Sequence, residues 1–411
     1  MRSGYLEVLC SRGSLLRRLG YGLLPSLLLF GCDNDPQAPD ALSPAPAPGL
    51  VAASTILSFR QVSAGGHHTC GVTTDDVAYC WGLNDHGQVG DGTTAAQRER
   101  PVRVAGTLHF RVVSAGEFHT CGLTTDNRAY CWGWNFNGAL GIGSTQTNGR
   151  RPLAVATDRR FRSLSAGYFQ TCAVTSADRA FCWGSNQAGQ IGDGTRKSRF
   201  TPVPVLGGLN FRTINAGTDH TCGVTPGSKA YCWGSNLYGE VGDGTTATMR
   251  LKPAAVAGQR SFRQVAAGDR HSRGVTTGNA GYCWGWNLYG QVGDGTHTDR
   301  RAPRAVVGGL TFNTITAGGA HSCGLRIDHN ISCWGHNSSG QLGNGTNSDQ
   351  SKPLDIYGGF QWRNVDAGMV HTCAVTTDDV AYCWGSGTHG QIGDGGAHDN
   401  HPWPALVVPP S

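Results

Sequence analysis

Fifteen cysteines are the first residues in this chain that could do chemistry, and all but Cys10, Cys32 and Cys283 fall in pairs ten residues apart. The pairs are Cys70 and Cys80, Cys121 and Cys131, Cys172 and Cys182, Cys222 and Cys232, Cys323 and Cys333, and Cys373 and Cys383. Thiols placed so regularly could close disulfides or hold zinc. A zinc centre takes close Cys-x-x-Cys pairs, and the chain has none. A ten-residue step with a turn at its midpoint, as at Asp75, sets Cys70 across an antiparallel hairpin from Cys80, within disulfide range. Six hairpin disulfides are therefore expected, each worth about 2–3 kcal/mol through loop closure and not fully additive. Arg273 stands where the partner of Cys283 belongs, so Cys283 is the expected free thiol. It is either a buried, inert sulfur or a site for a bond between molecules.

Histidine is the next candidate. His68, His119, His220, His271, His321 and His371 recur at one position, and Gln170 fills it once more. A ring of imidazoles could bind metal or relay protons, but a catalytic group is needed once and a structural hydrogen bond is needed in every copy. The Gly-Asp-Gly-Thr segments at Asp91 and Asp294 invite a calcium reading. One carboxylate per copy lacks the successive oxygen ligands of a calcium loop, and the motif varies at Ile142, Asn344 and Gly396, so a tight turn is expected. No Ser-His-Asp order, nucleophile elbow, P-loop or paired zinc histidines stand out. The chain is read as a non-enzyme with no catalytic residue, no cofactor and no metal site.

These residues must be positioned by a repeated element. The tripeptide Cys-Trp-Gly returns at Trp81, Trp132, Trp183, Trp233, Trp284, Trp334 and Trp384, in steps of 50 or 51 residues. Such a period means one supersecondary unit copied head to tail. Each copy holds three short runs of apolar, aromatic and β-branched residues between glycine or aspartate turns, with a fourth run after a variable stretch, at 101–104 in the first copy. Four strands make an antiparallel meander, both of whose faces need cover. Seven such sheets packed about an axis supply it. The fold expected is all-β, a seven-bladed β-propeller of four-stranded antiparallel blades over residues 56–411. The 62 glycines sit at fixed offsets in the unit, as turns require.

The motifs Ala-Gly-x-x-His, Trp183-Gly184-Ser185-Asn186 and Gly189-Gln190-Ile191-Gly192-Asp193-Gly194-Thr195 resemble the regulator of chromosome condensation repeats, over about residues 56–409. That resemblance implies a seven-bladed propeller. Kelch propellers have a similar period, but their paired-glycine signature is missing. The family's founding members exchange nucleotide on a small nuclear GTPase and bind chromatin. Secreted bacterial relatives include an enzyme inhibitor, and the Gly-Trp-Arg-His-Thr motif of light-sensing plant members is absent here.

Individuality in a strict repeat must lie where the copies differ. In a four-strand meander the first and third connections share one rim, and these carry the free positions. They include Glu117, Phe118, Trp134, Phe136, Tyr168 and Phe169 in copies two and three, and Tyr238, Asp269, Arg270, Trp286 and Tyr289 in copies four and five. Exposed aromatics beside charges form contact surfaces; the alternative is that several fold down over the blade tips.

The chain's ends bear on location. Arg2, Arg12, Arg17 and Arg18 against Glu7 give the first thirty residues +3 of the net +5. That leaves a near-neutral remainder without a basic run, a poor footprint for nucleic acid. A basic stretch, the apolar run 23–30 and then Gly31-Cys32 read as an export signal over 1–31, too short to span a bilayer. Leu29-Phe30-Gly31-Cys32 resembles a lipobox, with Cys32 lipidated; an ordinary cleaved signal with Cys32 incidental is the rival. Residues 32–55, rich in proline and alanine, read as a tether. The expectation is an exported, lipid-anchored bacterial monomer, on the periplasmic side or cell surface. It would act as a non-enzymatic scaffold binding a protein partner, or alternatively as an enzyme inhibitor or an adhesin for cell-surface polysaccharide.

Overall fold

A computed structural model describes residues 56–396 and 399–410. The signal, the tether and the lipidation site Cys32 lie outside the described residues. What is described is seven separate four-stranded antiparallel sheets, with one short 3-10 turn at Phe136–Gly138. Blade one holds β1 (Phe59–Ala64), β2 (His68–Thr73), β3 (Ala78–Leu83) and β4 (Gln97–Arg103), side by side in chain order. The other six repeat this order over 110–154, 161–204, 213–255, 262–305, 312–355 and 362–406.

Gly65, Gly116, Gly167, Gly217, Gly268, Gly318 and Gly368, one after each first strand, line a single opening. The first strands therefore surround the axis, and the fourth strands form the outer edges. That position explains why β4 begins at Gln97, ahead of the expected 101–104. Arg98, Glu99 and Arg100 lie on a partly exposed edge, where charge blunts strand-to-strand association and no apolar alternation marks the strand.

Phe59 and Val62 are three residues apart, yet both are buried. A bulge between Phe59 and Gln61 shifts the register so that both side chains turn to the same face. The core lies between blades. Cys70, Val72, Ala78, Cys80, Val89 and Val104 of blade one meet Phe110, Val113 and Trp132 of blade two. All seven repeat tryptophans are fully buried in such wedges. Each contributes about 4–6 kcal/mol of gross transfer energy, before ordering costs. All but Trp132 donate the indole N–H into the preceding blade, as from Trp183 to the Ala139 carbonyl at 3.0 Å.

Among the described residues, the ring closes without exchanging strands between the chain's ends. His401–Leu406 pairs within its own blade. Leu57 and Ala405 pack on one cluster that joins Phe59, Val62 and Trp81 to Val375, Ile392 and Val407. Polar closure matches. Gly66 N–H donates to Gly116 O, the same bond recurs from blade to blade, and Met369 N–H donates to Gly65 O at 3.1 Å to complete the circle. At the other end Arg60 reaches Phe110 O at 2.9 Å and Arg363 reaches Phe59 O at 2.6 Å, which explains the Phe-Arg pair that opens most copies.

Candidate interaction rim

The histidines are scaffold. His68 Nε2 lies 2.8 Å from Thr120 Oγ1 in the next blade, and that hydroxyl donates its own hydrogen to Gln88 O at 2.8 Å. The hydroxyl has nothing left to donate, so the imidazole donates from Nε2, and burial with Nδ1 left unpartnered keeps it neutral. The contact recurs at His119, His220 and His321, and from His371 to Thr69 across the closure. Burial pulls His68, His220 and His371 down to about 3 and His119 to about 4. In blade three Gln170 instead donates to Gly217 O at 2.8 Å.

The aspartates are turn locks. Asp91 Oδ1 accepts from the Thr93 N–H at 3.0 Å, and Arg98 Nε donates to Asp91 Oδ2 at 2.7 Å. Partial burial disfavours the Asp91 charge, but Thr93 and Arg98 together hold its carboxyl below the usual range. The same arrangement joins Asp193 to Arg199, Asp243 to Arg250 and Asp294 to Arg300.

All six expected disulfides are present, each between directly paired residues of the second and third strands with Cα atoms 4.0–4.1 Å apart. Cys283 pairs in register with Arg273 and is buried, so it cannot reach a second molecule without unfolding its blade. Burial pushes its thiol up to about 12, which makes it inert. Arg273 is the surprise: it is fully buried, with one nitrogen on His321 O at 3.1 Å and against His271, while Nε and Nη1 find no partner. Burial lowers it to about 9.

The rim residues named from sequence gather into two clusters. Phe118, Trp134, Phe136, Tyr168 and Phe169 form one continuous aromatic group across blades two and three, with ring centroids 4.3–5.8 Å apart. His86 of blade one stacks on Trp134 at 4.6 Å. In blades four and five Trp286 contacts Tyr238 and Tyr289, and the Arg270 guanidinium lies over Tyr238 and Trp286 at 5.6 and 5.5 Å. His336 of blade six extends this group from Tyr289 at 4.4 Å. Most of these rings are half-buried against one another, so contact surface and blade-tip cover are the same residues.

Glu117 and Asp269 are placed differently from expectation. Both turn inward to line the axial opening with Tyr168, Thr218 and Met369. Glu117 is only 8% exposed, lying over Gly66, where a Cβ would come within 2.3 Å of its carboxyl carbon. The small residue in blade one admits the large one from blade two, a pairing invisible until the blades are placed side by side.

Sequence reading missed Leu237 and Leu288, which are 59% and 56% exposed at the position of Phe136. The signal was available, because the equivalent residues elsewhere are Asp85, Gln187, Ser338 and Thr388. Asp219, beside the axial acids, was also missed.

Residues 107–410 match the model of the RCC1-like domain, and residues 59–88 and 75–123 match that of the Regulator of chromosome condensation (RCC1) repeat. The Ultraviolet-B receptor UVR8 of Arabidopsis thaliana is 32% identical over 260 residues, 62% of this chain and 59% of that one. The human E3 ubiquitin-protein ligase HERC2 is 28% identical over 263 residues, 62% of this chain and 5% of that one. The match thus spans less than two thirds of either relative. Among solved structures, Prp20p of Saccharomyces cerevisiae, described for its binding to Gsp1p and histones, aligns with a TM-score of 0.71 at 20% identity. The alignment covers 86% of this chain and 87% of that one, a likeness of fold.

Proposed function

The chain belongs to the RCC1-like domain family, and on that footing we propose that it is an extracytoplasmic scaffold that binds a protein partner through its variable rim and carries out no reaction of its own. The observation that carries this reading is the exposure of Phe136, Leu237 and Leu288 beside two aromatic clusters, on a ring whose other recurring residues are occupied with holding it together. Half-buried aromatics that already brace one another offer contact area at low ordering cost. Six disulfides in one chain favour an oxidising compartment. The lipid anchor at Cys32 belongs to the same proposal.

The test replaces Phe136, Leu237 and Leu288 by glutamine, the residue blade three carries at Gln187. Capture of the partner from intact cells by crosslinking and mass spectrometry should drop at least tenfold while the melting curve stays in place. Undiminished capture by a folded triple variant would sink the proposal.

A further inference from the structure

The axial opening carries a charge pattern the rest of the molecule does not share. The chain is net +5, yet Glu117 and Asp269 line this mouth from blades two and five, and Asp219 of blade four lies near enough to interact with Asp269. Burial raises all three carboxyl groups; Asp269 adds to the effect on Glu117, which reaches about 7, and on Asp219. Tyr168, set between blades, feels all three.

Their local partners are unequal. Asp269 takes a hydrogen bond from Thr218 and lies 3.6 Å from Arg270, and Asp219 takes one from Gln190 at 3.3 Å. The Glu117 side chain, more than nine-tenths buried, has no hydrogen-bond or ion-pair partner among the described residues. A carboxylate held out of water without a partner costs free energy that the fold does not recover. The raised Glu117 value shows that a proton can relieve this cost, and a positive charge from outside would relieve it while keeping the carboxylate ionised. The mouth encloses about 80 Å³. That is room for the end of one side chain and not for a folded segment, and aromatic walls rise next to it at Tyr168 and Phe118.

We infer that the axial mouth is a socket for a single lysine or arginine side chain projecting from the protein partner, with Glu117 as its counter-ion, Asp269 beside it on the lining and Asp219 adding negative charge from behind. This deepens the rim reading and rests on it: the aromatic and leucine positions supply contact area, and the socket fixes where the partner's basic residue must enter. A cation arriving there meets a desolvated opposite charge, where pairing is stronger than at the open surface.

The test uses the whole propeller and capped pentapeptides Gly-Gly-X-Gly-Gly with X as arginine, lysine or citrulline, titrated by NMR. The arginine and lysine peptides should bind at least tenfold more tightly than the uncharged citrulline isostere. Glu117→Gln should weaken them fivefold or more, and Asp269→Asn likewise. The Glu117→Gln variant should melt no lower than the parent, since it removes an unpaired charge; that keeps a binding loss distinct from misfolding. Equal binding of arginine and citrulline peptides, or full binding by Glu117→Gln, would overturn the socket. Partner capture separates the two proposals: loss with the Phe136, Leu237 and Leu288 variant but not with Glu117→Gln would leave the rim standing and the socket refuted.

Discussion

Gly393 of the seventh blade lies flat against the indole of Trp81 in the first, so close that a Cβ there would stand 2.6 Å from Nε1. The same contact joins Gly90 to Trp132 and Gly192 to Trp233, and it is why the Gly-Gln-(Val/Ile/Leu)-Gly motif needs its second glycine. At φ +78° Gly393 also holds a conformation other residues resist. Gly393→Ala therefore combines backbone strain with a steric clash, and should cost about 2–4 kcal/mol in denaturant unfolding. Gly278→Ala, with nothing within 4 Å, is the control and should be close to neutral.

Arg273→Cys should complete the seventh staple. Arg273 faces Cys283 in the register the six bridged pairs use, so the variant should show no free thiol among residues 56–411 when denatured without reduction. Closing the short loop is worth about 2–3 kcal/mol, and a poorly satisfied buried guanidinium goes with it. A lower melting temperature than the parent would show that the space Arg273 fills matters more than the bond.

His220 gives the fold a dependence on acid. Its folded value of about 3 lies below the ordinary 6.5. Between those values the unfolded chain takes up a proton the folded chain refuses, so stability is present above 6.5 and declines as pH falls through the window. His220→Gln, following Gln170, should lose about 1 kcal/mol at pH 7 with the bond to Ser272. It should then gain on the parent by about 1.4 kcal/mol for each pH unit below 6.5. The raised carboxyls at Glu117, Asp219 and Asp269 are common to both proteins and cancel in the difference. A gap constant from pH 7 to 4 would contradict the neutral, buried imidazole.

Asp243→Ala removes a lock between a turn and the fourth strand of blade four and should cost about 1–2 kcal/mol. Asp243→Asn should cost less, because Asn344 keeps the equivalent bonds to Thr346 at 3.1 and 2.9 Å in blade six. Calcium added at millimolar level should leave the melting temperature of the parent unchanged; an upward shift would reopen the metal reading of these turns.

Much of the fold was legible because its determinants are local and repeated. The Cys70–Cys80 hairpin, the wedge-filling Trp81 and the turn at Asp91 each recur with the same neighbours. What escaped depends on contacts between blades. Arg273 marks a missing staple in the sequence, but that the register of its strand turns its charge inward shows only with the blades in place. Glu117 reads as a rim charge, and only the vacancy over Gly66 directs it to the axis. Leu237 and Leu288 were passed over because an isolated leucine in a loop reads as core, whereas here the core is already filled by Val241 and Val292.

The link between blades seven and one is made of the same parts as the six links the backbone spans. Gly393 seats Trp81, His371 meets Thr69, and Met369 N–H completes the hydrogen-bonded circle on Gly65. The seam between blades seven and one is therefore one of seven near-equivalent seams, joined side chain to side chain as the others are, and the propeller's circular symmetry runs through it unbroken.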